Sequence, residues 1–400
     1  MDFEAKQGDE RTERLNYQEK FARALMAKGI SVPSLKKLRE KVSPVAMVNT
    51  VNRIRSGVHK LNQRMQPAPV SLLELATGAW VSQAISVAAR LGIADHIGHA
   101  SLDSSELAKL CSCHPESLYR LLRALTVVGV LNEEEDRKFR LTSIGHCLRE
   151  DHPRSMKNMV THIGYVGWPA WGDLENSVRT GQNAIEHLYG MKPFEYLNSS
   201  PEKAEVFNKA MTDISTLELD TILDVYDFSA FRTIADIGGG HGALLAAILR
   251  LNPTLMGILF DLQNVVQGAK VDLAKADVEK RISFQEGSFF GEMPTGADAY
   301  ILKHIIHDWS DDEAVTIMAN IRKVIPPTGR LILVETVIPS RSEAHFSKVL
   351  DLEMLVLTTG RERTAKEFAA ILRLAGFELA RIVPTMSMVS VIEATPSEFN

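Results

Sequence analysis

The sequence predicts an α/β protein. Its C-terminal half is an open, mainly parallel sheet with an antiparallel terminal hairpin, and the half before it is mainly helical. Three observations predict this. Beyond Phe231, β-rich runs alternate with helical runs, as in an open α/β sheet. The run Ile234-Ala235-Asp236-Ile237-Gly238-Gly239-Gly240-His241-Gly242 reads as a buried strand and a turn of glycines, and the acid Asp261 ends the next β-rich run. Residues 67–225 carry apolar side chains at helical spacing instead.

The elements follow in chain order. Residues 1–66 read as a polar helical extension. Tyr17, Phe21 and Leu25 recur every four residues, as do Met47 and Val51, and Pro33 and Pro44 divide the segment. The extension holds 14 Lys+Arg and 7 Asp+Glu, about +7, which leaves 31 and 43, about −12, for the rest. A docking or self-association arm and a merely solvated helical arm both fit that contrast. Gln66-Pro67-Ala68-Pro69 is a break. Leu72–Leu91 reads as one long apolar helix that needs cover, in a core or in a dimer interface.

Residues 101–150 read as a winged helix. Asp103-Ser104-Ser105-Glu106 starts one helix, and His114-Pro115-Glu116 starts a second that carries Leu118, Leu121, Leu122 and Leu125. Gly129 ends it. Val130-Leu131, an acidic turn from Glu133 to Asp136, and Phe139-Arg140-Leu141 form the wing. Strands are expected near 233–237, 256–260, 281–285, 297–303 and 330–337, with helices near 242–251, 262–275, 311–325 and 364–375. Phe377–Pro384 and Met388–Ala394 read as a hairpin, which requires an antiparallel edge.

Bulk properties bound the function. Four hundred residues allow two or three domains, expected at 1–66, 67–225 and 226–400. A net charge of −5 argues against a general nucleic-acid binder, and the acidic wing would meet phosphate with the wrong sign. Cys111, Cys113 and Cys147 suit a reducing compartment. The Cys111-Ser112-Cys113-His114 run lacks a second ligand pair, so no metal is expected there. No apolar run reaches transmembrane length, and the acidic N-terminus has no signal-peptide core. A cytoplasmic protein is expected.

The chemistry gathers at strand ends. Ligands of an open parallel sheet bind beyond the carboxyl ends of its strands. Those ends carry the glycine turn, Asp261, Gly287-Ser288-Phe289-Phe290, the run Lys303 to Trp309, and Glu335. The turn has the spacing Gly238-x-Gly240-x-Gly242, whereas a dinucleotide fingerprint would need a glycine at Leu245. A glycine-rich turn in some other α/β domain is the alternative. With an acid placed to accept from a ribose diol, the turn resembles that of the S-adenosylmethionine (SAM) methyltransferases. Methyl transfer from a sulfonium needs no metal, but it needs a deprotonated nucleophile held in line. A phenol has a pKa near 10, so a nearby imidazole has to take its proton. His307 with Glu335 or Glu362 supplies those parts. The alternative for His307-Asp308 is a cap on the helix that starts near Ser310.

The run Lys303-His304-Ile305-Ile306-His307-Asp308-Trp309-Ser310-Asp311 resembles the catalytic segment of the plant caffeic acid and hydroxyindole type O-methyltransferases and their bacterial relatives. Leu73–Gly78, Tyr189-Gly190-Met191 through Tyr196, Phe207–Asp213 and Arg361-Glu362-Arg363-Thr364 with Glu367-Phe368 match as well, so the resemblance spans residues 67–395. It implies a Rossmann-like class I methyltransferase sheet behind a winged-helix dimerisation and substrate-lid domain, and a homodimer. It implies SAM as cofactor and an aromatic or conjugated hydroxyl compound of secondary metabolism as substrate. His307 is then the general base, oriented by Glu335 and Glu362. Gly238, Gly240, Asp261, Ser288, Phe289, Lys303 and Ser215 contact the cofactor, and Trp309 flanks its adenine. His162, Trp168, Met191, Phe194, Met211, Asp308 and Met354 line the substrate pocket, where methionine and aromatic side chains suit a flat ring. One position departs from the family pattern: Ser288 stands where an acid usually accepts from the adenine amino group. Other SAM-assisted chemistry on the same fold is the competing reading: methylation of carbon or nitrogen, decarboxylation, hydroxylation or cyclisation.

Overall fold

A computed structural model describes residues 65–274, 276–339 and 345–397, together with Ile54, Gly57, Val58 and Leu61. The apolar stripes and prolines expected in the basic extension lie outside the described residues. Asn62–Asn400 form one compact unit.

Helices Ala68–Ala76 and Gly78–Arg90 meet at Thr77, where one continuous helix was expected. Together they are long and apolar enough to cross a membrane by length and composition, contrary to the expectation that no run would be. The first buries no residue, and Leu72, Leu73, Leu75 and Trp80 are 60–74% exposed. Among the described residues, none covers that face. Strands β1 (Ser101–Asp103), β2 (Leu131–Glu133) and β3 (Lys138–Leu141) form an antiparallel sheet in the order β1-β3-β2 beside helices Ser104–Leu110 and Pro115–Val127. Asp103 caps the first helix by accepting from Ser105 and Glu106 N–H, and His114 caps the second. Two of the wing acids have partners: Glu133 accepts from Tyr119 and Glu134 pairs with Arg140.

The large sheet contains β4 (Thr233–Ile237), β5 (Met256–Asp261), β6 (Ile282–Glu286), β7 (Ala299–Lys303), β8 (Arg330–Ile338), β9 (Arg363–Thr364), β10 (Phe377–Pro384) and β11 (Val389–Pro396). Its order is β10-β11-β8-β7-β4-β5-β6, with β9 paired to β8 off that path. Strands β8, β7, β4, β5 and β6 are parallel, while β10 and β11 add an antiparallel edge. The central strands are mainly apolar because both faces are covered, and Asp236, Lys303 and Glu335 interrupt them toward their carboxyl ends. Ala235, Ile237, Tyr300, Leu302, Leu331 and Leu333 pack one face against Ile317, Met318 and Phe368. Ile234, Ile301, Ile332 and Val334 pack the other against Leu245, Ile248 and Ile222. The chain leaves β4 for β5 on one side and returns to β7 on the other, so a crevice opens at the carboxyl end of β4.

Two long elements border that crevice. The Pro201–Leu223 helix precedes β4, and its Asp213 accepts from the N–H groups of Asn158 and Met159, which caps helix Lys157–Thr161. Helix Ser347–Leu357, which the periodicity did not announce, follows β8. Trp171 donates to its Glu353 and so ties it to the helix Trp168–Trp171.

Candidate active site

The crevice starts at the glycine turn. Gly238 has φ +68°, and a Cβ there would stand 2.6 Å from the Ile305 side chain. That contact joins the turn to the segment two residues before His307. Asp261 closes the turn from β5: its Oδ2 accepts from Gly240 N–H at 2.9 Å and its Oδ1 from Leu262 N–H at 2.7 Å. Burial raises its pKa, and the two backbone bonds oppose that rise. Asp236 is buried with Oδ2 unpartnered, and burial pushes its pKa up to about 7 against the charge of Lys303. A Cβ on Gly240 would meet nothing within 4 Å. An open backbone flank, an acid with spare lone pairs and an unsatisfied buried carboxyl fit a nucleoside with a ribose diol.

Aromatic rings surround Trp309. Phe194 stacks on it at 5.9 Å, and Phe289 and Phe290 meet it edge-on at 5.6 and 4.8 Å. Ser288 is exposed, and its Oγ accepts from Phe290 N–H. Lys303 donates to Glu218 at 3.3 Å, and Ser215 lies half-buried one turn before Glu218 on the same helix.

His307 sits in a single 3₁₀ turn, Ile306–Asp308, and is 7% exposed. Its Nδ1 lies 2.9 Å from Glu362 Oε1 and 3.7 Å from Glu335 Oε2. A carboxylate can only accept, so Nδ1 carries the proton and Nε2 is the nitrogen left for chemistry. Asp308 Oδ1 stands 3.7 Å from that Nε2. Burial disfavours charge on the ring, but Glu335, Asp308 and Glu362 outweigh it and push the His307 pKa up to about 10. Burial raises Asp308 to about 6 even with His307 opposing it.

The two glutamates hold His307 in different ways. Glu362 bonds the ring, while Glu335 uses Oε1 to accept from Ile305 and Ile306 N–H at 3.1 and 2.7 Å. Glu335 therefore fixes the backbone that carries the ring. The capping alternative fails, because Ser310 caps the following helix in a reciprocal box with Glu313.

Several supporting residues were missed by the sequence reading. Arg363 is fully buried and donates to Ile306 O, Trp309 O and Asp311 Oδ1, which staples the turn around His307. Asp351 accepts from Glu362 N–H at 2.9 Å. Gly360 leaves room for the turn, since a Cβ there would lie 2.0 Å from His307 O. Arg363 and Gly360 stand in or beside the Arg361–Thr364 run that was quoted, but no sequence signal separates a buried guanidinium from an exposed one.

The expected substrate residues are spread over several elements. Phe194 touches the catalytic turn through Trp309. His162 is buried, packs on Phe207 and is pushed down to about 4 by burial, so it is neutral at pH 7. Trp168, Met191 and Phe194 are 39–41% exposed, Met211 is half-buried and Met354 is buried.

Residues 171–378 match the O-methyltransferase domain, and residues 73–151 match the O-methyltransferase dimerisation domain. The phenazine O-methyltransferase PhzM of Lysobacter antibioticus is 41% identical, over 84% of this chain and 99% of its own length. The LaPhzM crystal structure superposes with a TM-score of 0.80 at 41% identity, over 83% of this chain and 100% of that one. Human N-acetylserotonin methyltransferase, solved with SAM, superposes with a TM-score of 0.77 at 27% identity, over 83% of this chain and 99% of that one. The chain belongs to the SAM-dependent O-methyltransferase family.

Proposed function

We propose that this enzyme methylates a hydroxyl of an aromatic or conjugated small molecule in secondary metabolism, with His307 as the general base. The observation that carries the reading is the buried His307–Glu362 bond at the carboxyl edge of the sheet, one side chain away from the glycine turn. Gly238, Gly240 and Asp261 would hold the nucleoside of SAM. Lys303, Ser215, Ser288, Phe289 and Trp309 would border it. When bound, SAM supplies a methyl group on a positively charged sulfur.

The chain's own residues prepare the acceptor. A phenol near pKa 10 gives its proton to an ordinary imidazole at a cost of ~5 kcal/mol, at 1.36 kcal/mol per pKa unit. With His307 raised to about 10, that transfer is close to even once the ring is neutral, the form that fills as pH climbs towards that value. The proton moves from the hydroxyl to Nε2, Glu362 and Glu335 stabilise the imidazolium, and the phenolate stays beside it. The rings and methionines from His162 to Met354 would wall the acceptor and exclude water. Residues 67–225 serve as dimerisation and lid region and 226–400 as the SAM-binding catalytic part. The exposed face of Ala68–Arg90 is the homodimer contact, supported by the dimerisation match that begins at residue 73. The basic extension has no assigned part in this reading.

Other SAM-assisted chemistry is the second reading. Relatives at 36% and 35% identity are named 8-amino-8-demethylriboflavin N,N-dimethyltransferase and Aclacinomycin 10-hydroxylase RdmB. Incubation with methyl-labelled SAM and a panel of phenols tests both. The proposal expects a labelled methyl ether and one S-adenosylhomocysteine per turnover. Turnover of an aromatic acceptor with no S-adenosylhomocysteine would overturn it.

A further inference from the structure

A second histidine stands beside the base and is held in the same manner. His304 follows β7 directly, and its ring lies 5.1 Å from that of His307, tilted by 30°. Its backbone is in the left-handed region, at φ +54°, which a residue with a bulky side chain seldom adopts. Two contacts hold this segment there. His304 Nε2–H donates to Glu218 Oε2 at 2.9 Å, and Lys303 donates to the same oxygen. Glu218 is 1% exposed and reaches in from the Pro201–Leu223 helix.

That bond leaves His304 Nδ1 with its lone pair, buried and without a partner. Glu335 spends Oε1 on the backbone, and its Oε2 is likewise buried and unpartnered. Ligand atoms of His304, His307 and Glu335 all lie within 4.8 Å of one another. Among the described residues, no other group of three such side chains gathers so closely. His304 donates its Nε2–H to buried Glu218, and His307 donates its Nδ1–H to buried Glu362. A carboxylate behind each imidazole is the usual support of a metal-bound histidine, because it fixes the tautomer and raises the basicity of the free nitrogen. Two imidazoles and one carboxylate suit zinc-class dications, whereas magnesium and calcium prefer all-oxygen sets.

We propose that His304, His307 and Glu335 form a binding site for a zinc-class dication. Bound there, the ion takes ring nitrogen from the base, so it acts as a reversible inhibitor of transfer. Binding goes beyond the catalytic reading; the inhibition rests on His307 being the base.

The test counts zinc first and measures turnover second. The wild-type protein is dialysed against micromolar zinc chloride and its zinc is measured by elemental analysis. The His304→Asn variant, which tolerates the left-handed backbone, is treated alongside. The proposal expects one equivalent fewer in the variant, and equal zinc in the two proteins overturns it. X-ray absorption at the zinc edge of the wild-type protein keeps the test open if the variant folds poorly. Two imidazoles with oxygen support the site, and a sulfur shell from Cys111, Cys113 or Cys147 overturns it. Transfer by the wild type should then fall at least about tenfold with zinc, recover with a chelator and persist in magnesium. Zinc bound through two imidazoles without loss of transfer would sink the inhibition while leaving the site standing. Failure to methylate any phenol, with zinc still bound, would count against the catalytic reading alone.

Discussion

Replacing Glu362 with glutamine tests the electrostatic heart of the site. The substitution keeps an acceptor opposite His307 Nδ1 and removes one negative charge at 2.9 Å. A hydrogen bond to a charged group is worth roughly 1.5–3 kcal/mol, or about one to two pKa units. His307 stands at about 10 because three carboxylates outweigh burial, so the variant's value should fall to about 8 to 9. The sign of the effect on stability follows. A raised histidine adds stability that is full below its ordinary 6.5 and is lost as pH climbs through about 10. The shift amounts to on the order of 5 kcal/mol across that window, and the variant should lose part of it. The catalytic assay is kcat/KM against pH from about 6 to 10.5, with an acceptor whose hydroxyl is more acidic than phenol so that the two titrations separate. The rising limb should move one to two units towards acid, and its plateau should drop several-fold because a weaker base drives proton transfer less. Histidine nitrogen chemical shifts should follow the same curve. An unchanged limb in both measurements would refute the assignment of the raised value to this cluster.

Three further outcomes are expected. Gly360→Ala places a methyl group 2.0 Å from His307 O, so turnover should fall at least about tenfold and stability by about 1–3 kcal/mol, while calorimetric SAM affinity stays near that of the wild type. Kinetics within twofold of the wild type would show that the contact is absent. Ser288→Asp should tighten SAM binding about fivefold by isothermal calorimetry, since a carboxylate accepts more strongly than a hydroxyl by about 1 kcal/mol. Unaltered affinity would remove Ser288 from the adenine site. Trp80→Asp puts a charge on a side chain that is 74% exposed in a single chain, and sedimentation should show dimers turning to monomers. A dimer that persists would place the interface elsewhere.

The fold was legible where burial imposes a period. Strands β4, β7 and β8 are covered on both faces and read as apolar runs, and the expected helices between them lie within a few residues of the observed ones. Helix Ser347–Leu357 escaped because its apolar positions do not keep to one face: Ser347 is buried, whereas Val349 and Leu352 are exposed. The apolar Ala68–Arg90 segment signalled a need for cover but could not say that the described residues leave its first turns exposed. At the site, residue types and strand ends pointed to His307, Glu335, Glu362 and Asp261. The roles of Glu218, Arg363 and Asp351 were hidden, because each depends on a partner from a distant segment. Glu218 meets Lys303 and His304 across 85 and 86 residues, and Arg363 meets Asp311 across 52. A charge in sequence looks solvated until its partner is known.

The most direct measurement is the single-turnover rate of methyl transfer by His307→Ala with SAM bound, in the absence and presence of added imidazole. Removal of the base should slow the step by about 10²–10⁴-fold, the usual contribution of general base catalysis, and free imidazole should restore part of it. A rate within a few-fold of the wild type, unaffected by imidazole, would contradict a buried ring that strips the acceptor hydroxyl.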